Sequence, residues 1–404
     1  MDSLKMELPH SVKRYDFHPI QRILYSQDLL KISPFLRRFI KYPLCIVQPE
    51  NDEEVISILE ISKRFKIPIV PRGAATSAYG GATTLKNCIV VDFTRMNRFE
   101  LKDGSVVAES GVVWLDLEKE LNKAGYALRV YPTSAPASTV GGWIAQGGYG
   151  IGSLKYGDIK KNIEWIEVAD FDGVKRVKGE DLKYYVGLFG TTGLVLRACL
   201  KLRENRKLSN YAVKCSFEEA LDLTDGAYHA SYMNKSLGNM IGCGDADVLL
   251  LTFEEPPSDL SYFDEVLGSK IWDNRFNLLK AARNADIIFT EAILPYESAS
   301  EFYSKVTNFG VKVIFTADCV VFLGVLPLRG YYRTAMKAVK FIKVAEKYGG
   351  RVYSTGMLFP HKNIVGGEIK EYKKAVDPEN LLNPGKAVQG NVISRLIRLA
   401  EMVP

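Results

Sequence analysis

Apolar positions in the first half of the chain fall into short runs at helix or strand spacing, separated by turns. After Asn51, the residues Val55, Ile58 and Phe65 recur at helical intervals, which predicts an amphipathic helix. Asn51 can accept N–H groups of the first turn, and Glu54 three residues later gives the pattern of a capping box. The same half predicts strands at 67–70, 88–92, 105–110 and 194–202 and a further helix at 114–123.

Three unusually glycine-rich turns interrupt this half, at 73–81, 139–157 and 187–193. From residue 207 to residue 350 the helical runs are longer and glycines are fewer. The pattern there predicts helices at 217–232, 269–284, 298–308 and 331–348, and strands at 248–253, 287–294, 311–316 and 319–326. Helices and strands that alternate in this way favour an α+β domain with an antiparallel sheet.

Composition narrows the class of protein. The 404 residues allow two to three domains, and a net charge of +6 without a dense basic block gives no reason to expect a nucleic-acid partner. Six scattered cysteines without a CxxC pair argue against a protein-bound iron–sulfur cluster or structural zinc and favour a reducing compartment. The N-terminus lacks the apolar core of a signal peptide, and the longest apolar stretch, 319–328, is too short to span a membrane. We therefore expect a cytoplasmic protein without a transmembrane segment, attached to a membrane only through a partner.

A glycine-dense loop after a strand can bring backbone N–H groups against phosphate oxygens. Three such loops in one region favour a large anionic cofactor, although any single glycine can serve a tight turn alone. Two common nucleotide motifs fail here. Gly385-Lys386 is followed by Ala387 where a Walker A loop needs Ser or Thr, and the GxGxxG fingerprint of a Rossmann domain does not occur.

The first glycine loop reads Pro71-Arg-Gly-Ala-Ala-Thr-Ser-Ala-Tyr-Gly-Gly81. It resembles the PRGGGT-type loop that binds the FAD pyrophosphate in the vanillyl-alcohol oxidase and p-cresol methylhydroxylase (PCMH) superfamily. Further segments resemble the glycolate oxidase and D-lactate dehydrogenase flavoprotein subunits of that superfamily, in the same order along the chain. These segments are 91–97, 109–112, 132–142, 154–157, 190–195, 272–276 and 377–386.

The resemblance implies an α+β fold: a two-subdomain PCMH-type FAD-binding domain with an α+β substrate or cap domain built on an antiparallel sheet. We expect an N-terminal segment at 1–42, the FAD-binding domain at 43–206, the substrate domain at 207–350, and a segment returning to the FAD domain at 351–404. Thr76 stands where some relatives carry a flavin-linking histidine, so the FAD cofactor should be bound non-covalently.

The FAD contacts that the resemblance implies are small, hydroxyl-bearing or glycine residues of the two main loops, with a few positions beyond them. They are Pro71, Arg72, Gly73, Ala74, Ala75, Thr76, Ser77, Gly80, Gly81, Pro132, Thr133, Ser134, Thr139, Gly141, Gly142, Ala145, Gly148, Gly150, Gly193, Val195, Asn383 and Lys386. Lys386 could place positive charge beside flavin N1–C2. The alternative for its LNPGK segment is a helix stop and turn.

For the substrate, the resemblance points to Arg275, since an arginine fork suits a carboxylate; a surface ion pair is the alternative. Weaker candidates are Arg329, Tyr332 and Arg333. The metal-binding GEHGIG motif of the 2-hydroxy-acid dehydrogenases is missing from 354–362, so we predict no catalytic metal site. His361 then remains as a candidate base, against the alternative of a solvated loop histidine, with Tyr353 and Lys362 weaker still.

The resemblance implies an FAD-dependent dehydrogenase that oxidises a small anionic 2-hydroxy acid, of the D-lactate or glycolate type, by hydride transfer to flavin N5. Electrons would pass to an external acceptor, and an iron–sulfur or electron-transfer flavoprotein subunit is a possible partner. The missing motif keeps open a non-catalytic FAD-binding subunit of a glycolate oxidase-like complex. A sugar-alcohol or lactone oxidase has less support, because the covalent-flavin histidine is absent. The amphipathic stretch 392–402 serves either to dock on its own domain or to contact a partner subunit.

Overall fold

Three β-sheets with helices packed around them make up the protein. The computed structural model describes residues 2–242, 244–258, 263–278, 286–362 and 364–402. The first two sheets are formed by strands up to residue 204, and the third by strands from residue 209 to residue 352. The expected α+β fold class is confirmed, while the four-part division of the chain stays a prediction.

The first sheet has four strands, in the spatial order Tyr15–Asp16, Cys45–Val47, Ile89–Asp92 and Ile69–Arg72. Its last three strands are parallel. The helices of this part are Asp2–Ser11, Pro19–Leu24, Pro34–Arg37 and Asp52–Phe65. A parallel pair needs a crossover, and helix Asp52–Phe65 provides it with a buried apolar face.

Asn51 caps helix Asp52–Phe65 as predicted, because its side-chain oxygen accepts the N–H of Glu54 at 2.9 Å. The reciprocal half of the capping box was wrong. The Glu54 carboxylate accepts instead from the backbone N–H groups of Glu50 and Lys13. This residue therefore ties the helix to the N-terminal segment, which the local motif alone could not indicate.

The second sheet is antiparallel and centres on the long strand Leu194–Glu204. Its strands are Phe99–Lys102, Ser105–Glu109, Leu194–Glu204, Ile163–Asp170 and Gly173–Lys178, with Tyr126–Leu128 paired to the end of the long strand. The helices here are Trp114–Lys123, Val140–Gln146 and Ser153–Tyr156, with short 3₁₀ turns at Phe93–Arg95, Lys160–Asn162 and Gly179–Tyr184. Trp114 and Trp143 meet edge to face at 5.1 Å between ring centroids, which joins two of these helices in one core.

The third sheet has seven antiparallel strands. Their spatial order is Ser209–Lys214, Val248–Phe253, His229–Met233, Gly310–Phe315, Val320–Pro327, Ile287–Leu294 and Arg351–Val352. Its helices are Phe217–Asp222, Lys235–Ile241, Glu265–Asp273, Tyr296–Val306 and Tyr331–Lys347. Four predicted strands are confirmed within one residue at each end.

The predicted helix 217–232 was wrong in its second half. The helix ends at Asp222, and His229–Met233 is a fully buried strand. Gly226, with φ +69°, turns the chain between the two elements. The periodicity misled because a strand that is buried at every position shows no alternation along the chain, so a short run of this kind cannot be told from a helix by periodicity. The predicted helix 269–284 lies at Glu265–Asp273, and residues 279–285 lie outside the described part.

The C-terminal segment runs back to the first sheet. Leu382 forms a parallel bridge with Ile69, and the N–H of Asn383 donates to the Ile69 carbonyl at 2.8 Å. Helices Gly367–Val376 and Val392–Glu401 flank this return. The second of them docks on its own chain through buried Ile393, while Leu399 stays exposed. Among the described residues, no helix combines the length and apolarity that crossing a bilayer requires.

Candidate functional site

A deep cleft separates the two main glycine loops from one face of the third sheet. Its volume, including the solvent-filled mouth, is about 1670 Å³. The predicted cofactor residues that line it are Pro71, Arg72, Gly73, Ala74, Ala75, Thr76, Ser77, Gly81, Pro132, Thr133, Ser134, Thr139, Gly141, Gly142, Ala145 and Val195. The fold therefore brings residues from distant parts of the sequence into one elongated site.

The loop wall is made by backbone segments in close contact. A Cβ on Gly73 would lie 2.2 Å from Thr139 Oγ1, and one on Gly141 would lie 2.2 Å from Ser110 Oγ. Neither position has room for a side chain, so each loop lies flat against its neighbour. The wall places the hydroxyl groups of Thr76, Ser77, Thr133, Ser134 and Thr139 beside glycine and alanine backbone, which suits the phosphates and ribityl chain of a dinucleotide. The residues present fit FAD.

Four predicted glycine contacts are not part of the cleft lining. A Cβ on Gly148 would lie 2.0 Å from Tyr353 Oη, and one on Gly150 would lie 2.2 Å from the Tyr131 carbonyl oxygen. Gly80 and Gly193 face side chains: Gly80 packs on Met357, and a Cβ on Gly193 would lie 3.0 Å from the Tyr185 ring. Dense packing explains these four glycines, which is the structural role that the sequence had left open.

Asn383 and Lys386 also lie behind the cleft wall. The Asn383 amide donates to the carbonyl oxygens of Gly81 (3.0 Å) and Phe189 (2.7 Å), so it fastens the first glycine loop to the 187–193 turn. Lys386 is fully buried and its Nζ donates to Thr83 O at 2.6 Å. Burial lowers the pKa of this amine to about 7, against the opposing effect of Asp28. In this arrangement Lys386 supports the loop from behind, as a turn residue would.

The sheet wall carries a carboxyl and an amine, those of Glu291 and Lys312, that no sequence motif indicated. Glu291, on strand Ile287–Leu294, faces the cleft, and Tyr79 from the first glycine loop donates a hydrogen bond to its Oε2. The Tyr79 ring stacks on Tyr353 at 6.4 Å between centroids. Tyr353 Oη accepts from the N–H of Tyr149 (2.8 Å) and donates to its carbonyl oxygen (3.1 Å). Lys312 lines the same wall.

Burial dominates the titration of this group. Desolvation raises the pKa of Glu291 to about 7, and the hydrogen bond from Tyr79 opposes that rise. Burial also raises the pKa of Tyr79 and of Tyr353, and the nearby Glu291 charge adds to both effects. Near neutral pH the Glu291 carboxyl is therefore present in both its protonated and its ionised form, while the phenols of Tyr79 and Tyr353 remain protonated.

Arg275 does not line the cleft. It lines a smaller adjoining cavity, which shares Leu278 and Lys312 with the cleft. The guanidinium lies 4.3 Å from the Trp272 ring centroid and its Nη1 donates to the Trp272 carbonyl oxygen at 2.8 Å. His229 lines the same cavity, and burial, reinforced by Lys312 and Arg275, lowers the pKa of its imidazole to about 3. This cavity therefore holds positive charge beside a neutral imidazole.

His361 lies away from the cleft as well. It sits in the 3₁₀ turn Pro360–Lys362, and its Nε2 meets Glu401 Oε2 at 3.1 Å. Lys362 Nζ pairs with Glu346 and Glu401, at 2.9 and 3.0 Å. Both residues thus hold the C-terminal helix and neither is placed to act as the base. Of the other candidates, Tyr353 lines the cleft, whereas Arg329, Tyr332 and Arg333 are exposed outside it.

Within the described ranges of the chain, no three His, Cys, Asp or Glu residues are grouped so as to hold a metal ion. The absence of a catalytic metal stays a prediction from the sequence.

Both main glycine loops of the loop wall lie within a match to a known family of domains. Residues 43–177 match a family model described as an FAD binding domain. Alkyldihydroxyacetonephosphate synthase of Trypanosoma brucei brucei is 32% identical over 227 residues, which cover 52% of this chain and 37% of that protein. Glycolate oxidase subunit GlcD of Bacillus subtilis is 30% identical over 203 residues, which cover 47% of this chain and 42% of the subunit. These alignments span less than half of either relative.

A longer alignment joins the chain to D-lactate dehydrogenase of Archaeoglobus fulgidus, which is 24% identical over 85% of this chain and 91% of that protein. Among solved structures, an alkyldihydroxyacetonephosphate synthase superposes with a TM-score of 0.76, at 16% identity, over 95% of this chain and 86% of the other. At that identity the superposition shows a shared fold. Residues 43–177 therefore form an FAD-binding domain, and FAD is the cofactor of this chain.

Proposed function

We propose that this protein is an FAD-dependent oxidoreductase that oxidises a small anionic 2-hydroxy acid of the D-lactate or glycolate type. The observation that carries this proposal is the cleft, in which a loop wall suited to FAD faces a sheet wall with a carboxyl, a phenol and an amine, while the phenol of Tyr79 reaches across from the loop wall. Relatives named as glycolate oxidase and D-lactate dehydrogenase support the same class of substrate.

Separate groups of residues bind the cofactor, exclude water and hold the substrate carboxylate. The loops at 71–81 and 132–145 hold the non-covalent cofactor, which supplies the acceptor for a hydride from the substrate carbon. Phe289, Ile314 and Val321 give the sheet wall an apolar surface that excludes water from the reacting carbon. We place the substrate carboxylate near the junction of the two cavities, where Lys312 and Arg275 bring positive charge. Electrons then leave to an external acceptor.

The test is anaerobic reduction of the FAD-loaded chain by glycolate, D-lactate and D-2-hydroxyglutarate. We expect at least one acid to remove the absorbance of oxidised flavin, with the 2-oxo acid formed in equal amount. L-lactate serves as a stereochemical control, and dithionite shows that the bound flavin can be reduced. Bound FAD that dithionite reduces and none of the acids reduces would contradict the proposal.

The second candidate is a non-catalytic FAD-binding subunit of a larger complex. Its support is the position of His361, the candidate base of the 354–362 segment, which is engaged by Glu401 outside the cleft. Under this hypothesis the chain needs a catalytic partner. Adding an iron–sulfur or electron-transfer flavoprotein subunit would then change the stability of the complex without enabling any hydroxy acid to reduce the flavin of this chain.

A further inference from the structure

We infer that Glu291 is the group that takes the hydroxyl proton of the substrate, in place of the histidine that such chemistry commonly uses. This inference rests on the proposed function and deepens it by assigning the missing base. It depends on three features of the cleft: where the carboxyl points, which group holds it, and which alternatives the fold removes.

The first feature is the position of Glu291 in the sheet. Strand Ile287–Leu294 lies between Val320–Pro327 and Arg351–Val352, and Glu291 pairs in register with Leu323. The side chains of Phe289 and Glu291, two residues apart on one face of the strand, both line the cleft. The carboxyl therefore projects from a rigid strand toward the wall that holds the cofactor.

The second feature is the hydrogen bond from Tyr79. Tyr79 belongs to the first glycine loop, so its phenol spans the cleft and fixes one carboxyl oxygen, Oε2, of Glu291. The bond from Tyr79 engages Oε2, and we assign the other oxygen, Oε1, to accept the proton of the substrate hydroxyl. Tyr353 stacks on the Tyr79 ring, and the backbone of Tyr149 holds Tyr353 in place. The stack therefore restricts the movement of the Tyr79 ring.

The third feature is the elimination of other bases among the described residues. His361 is engaged by Glu401 outside the cleft, and His229 lies in the adjoining cavity, where burial and two cations disfavour its protonation. Tyr79 and Tyr353 hold their protons more tightly than free phenols, because burial raises the pKa of both. A carboxyl near neutrality matches the operating pH better than either group.

The step balances in protons and electrons. The substrate O–H bond breaks and its proton moves to Glu291, while the C–H bond at the same carbon breaks and a hydride carries two electrons to the oxidised FAD. The electron pair left on oxygen forms the carbonyl bond of the 2-oxo acid. Glu291 then releases the proton to solvent through the cleft mouth.

The titratable groups that face Glu291 are Tyr79 and Tyr353, with Tyr149 and Cys319 behind Tyr353 and Lys312 in the same wall. None of the phenols ionises near neutrality on this wall, so Glu291 governs the pH dependence. Flavin reduction needs the carboxylate, and its rate in the wild type rises with pH through the pKa of Glu291 near 7.

The test is stopped-flow reduction of the FAD-loaded full chain carrying Glu291→Gln. We expect the reduction rate to fall about 10²–10⁴-fold, the usual contribution of a general base. FAD content, dithionite reduction and the spectral change on binding the 2-oxo acid should stay at wild-type values. Glu118→Gln is the matched control, since Glu118 is also a buried glutamate of raised pKa but lies outside the cleft.

A second variant, Tyr79→Phe, decides the question if Glu291→Gln does not fold. Loss of the hydrogen bond destabilises the carboxylate, so the pKa of Glu291 rises and the midpoint of the rate profile moves about one unit to higher pH. The pH titration of the carbon-13 carboxyl resonance of Glu291, measured without substrate, should shift its midpoint by the same number of pH units. An unmoved midpoint, or Glu291→Gln reduced within threefold of wild type, overturns the assignment. If no acid reduces the wild type, the proposed function fails and the assignment falls with it.

Discussion

The two walls of the cleft reach their chemistry by different means. The loop wall offers backbone and hydroxyl groups, and its decisive positions are glycines such as Gly73 and Gly141, which leave no room for a Cβ. The sheet wall offers side chains, and its decisive groups are Glu291 and Lys312, carried on separate strands. The loop wall depends on glycines that lack a side chain, whereas the sheet wall depends on the side chains of particular residues.

This difference determines how each wall responds to change. A backbone wall fails through displacement, since a single methyl group shifts the whole loop and every contact it makes. A side-chain wall fails group by group, because the strand stays in place when one carboxyl is replaced. Glycine variants should therefore impair cofactor binding, and sheet variants should impair turnover or pH dependence while cofactor binding persists.

The largest expected effect on cofactor binding comes from Gly141→Ala in the loop wall. The added Cβ would lie 2.2 Å from Ser110 Oγ and 3.0 Å from its Cα, so the loop must move away from strand Ser105–Glu109. We expect FAD to bind about 100-fold more weakly, equivalent to about 2.7 kcal/mol. Fluorescence titration of the apoprotein with FAD measures this. Gly366→Ala is the control, since nothing lies within 4 Å of that position; equal affinities for both variants would contradict the prediction.

The next effect concerns acid stability and the sheet side of the molecule. Burial lowers the pKa of His229 to about 3. Below pH 6.5 the unfolded chain therefore binds a proton at this imidazole, whereas the folded protein keeps the imidazole neutral. The stabilisation is present above 6.5 and is lost as pH falls toward 3, by up to about 5 kcal/mol. His229→Leu should flatten this part of the stability–pH curve in urea unfolding. The exposed His10→Gln should not, and a curve unchanged by His229→Leu would show that another group controls acid unfolding.

A smaller effect is expected behind the loop wall, where Asn383 fastens the first glycine loop to the 187–193 turn. Asn383→Gly keeps the left-handed backbone (φ +39°) but removes the amide that serves the carbonyls of Gly81 and Phe189. Two buried acceptors then lose their donor, which should lower the free energy of unfolding by about 2–4 kcal/mol. Asn380→Gly is matched in conformation (φ +54°) and corrects for the added backbone freedom. Equal losses in both variants would count against the fastening role of Asn383.

The smallest effect is expected at His361. Its imidazole contacts Glu401 at the C-terminal helix, so His361→Ala should change the rate of flavin reduction less than twofold. Thermal unfolding should show a loss of about 1 kcal/mol from the missing contact. A tenfold fall in the rate of flavin reduction would contradict this prediction and make His361 a candidate base again.

The same contrast explains what could be read from the sequence. The loop wall was predictable because its requirements are local: Gly73, Gly141 and the hydroxyls of Thr76 and Ser77 lie in short motifs, and these residues line the cleft. Six of the eight predicted strands were placed within one residue at each end for the same reason, and the strands predicted at 67–70 and 194–202 missed by two residues. Where a glycine supports packing between distant segments, as Gly148 does against Tyr353, sequence could not separate the two roles.

The sheet wall was not predictable, because its groups come together only in three dimensions. Glu291 is a lone acid within an apolar strand, and nothing adjacent marks it. A charged residue inside a predicted buried strand at 287–294 was the one available signal, since burying a carboxyl requires a partner or a purpose. Arg275 was chosen for its motif, and His361 as the histidine that remained where a motif is missing. The fold places Arg275 in the adjoining cavity and His361 at the C-terminal helix.

The fastening of the first glycine loop by Asn383 also bears on the order of events during translation. Asn383 and Gly81 are 302 residues apart, and the strand at Ile69 gains its Leu382 bridge from the same late segment. A nascent chain can form the early strands, but this loop is secured only after residues 382 and 383 have been made. Because domains commonly fold as they emerge from the ribosome, cofactor capture should wait until this segment has emerged.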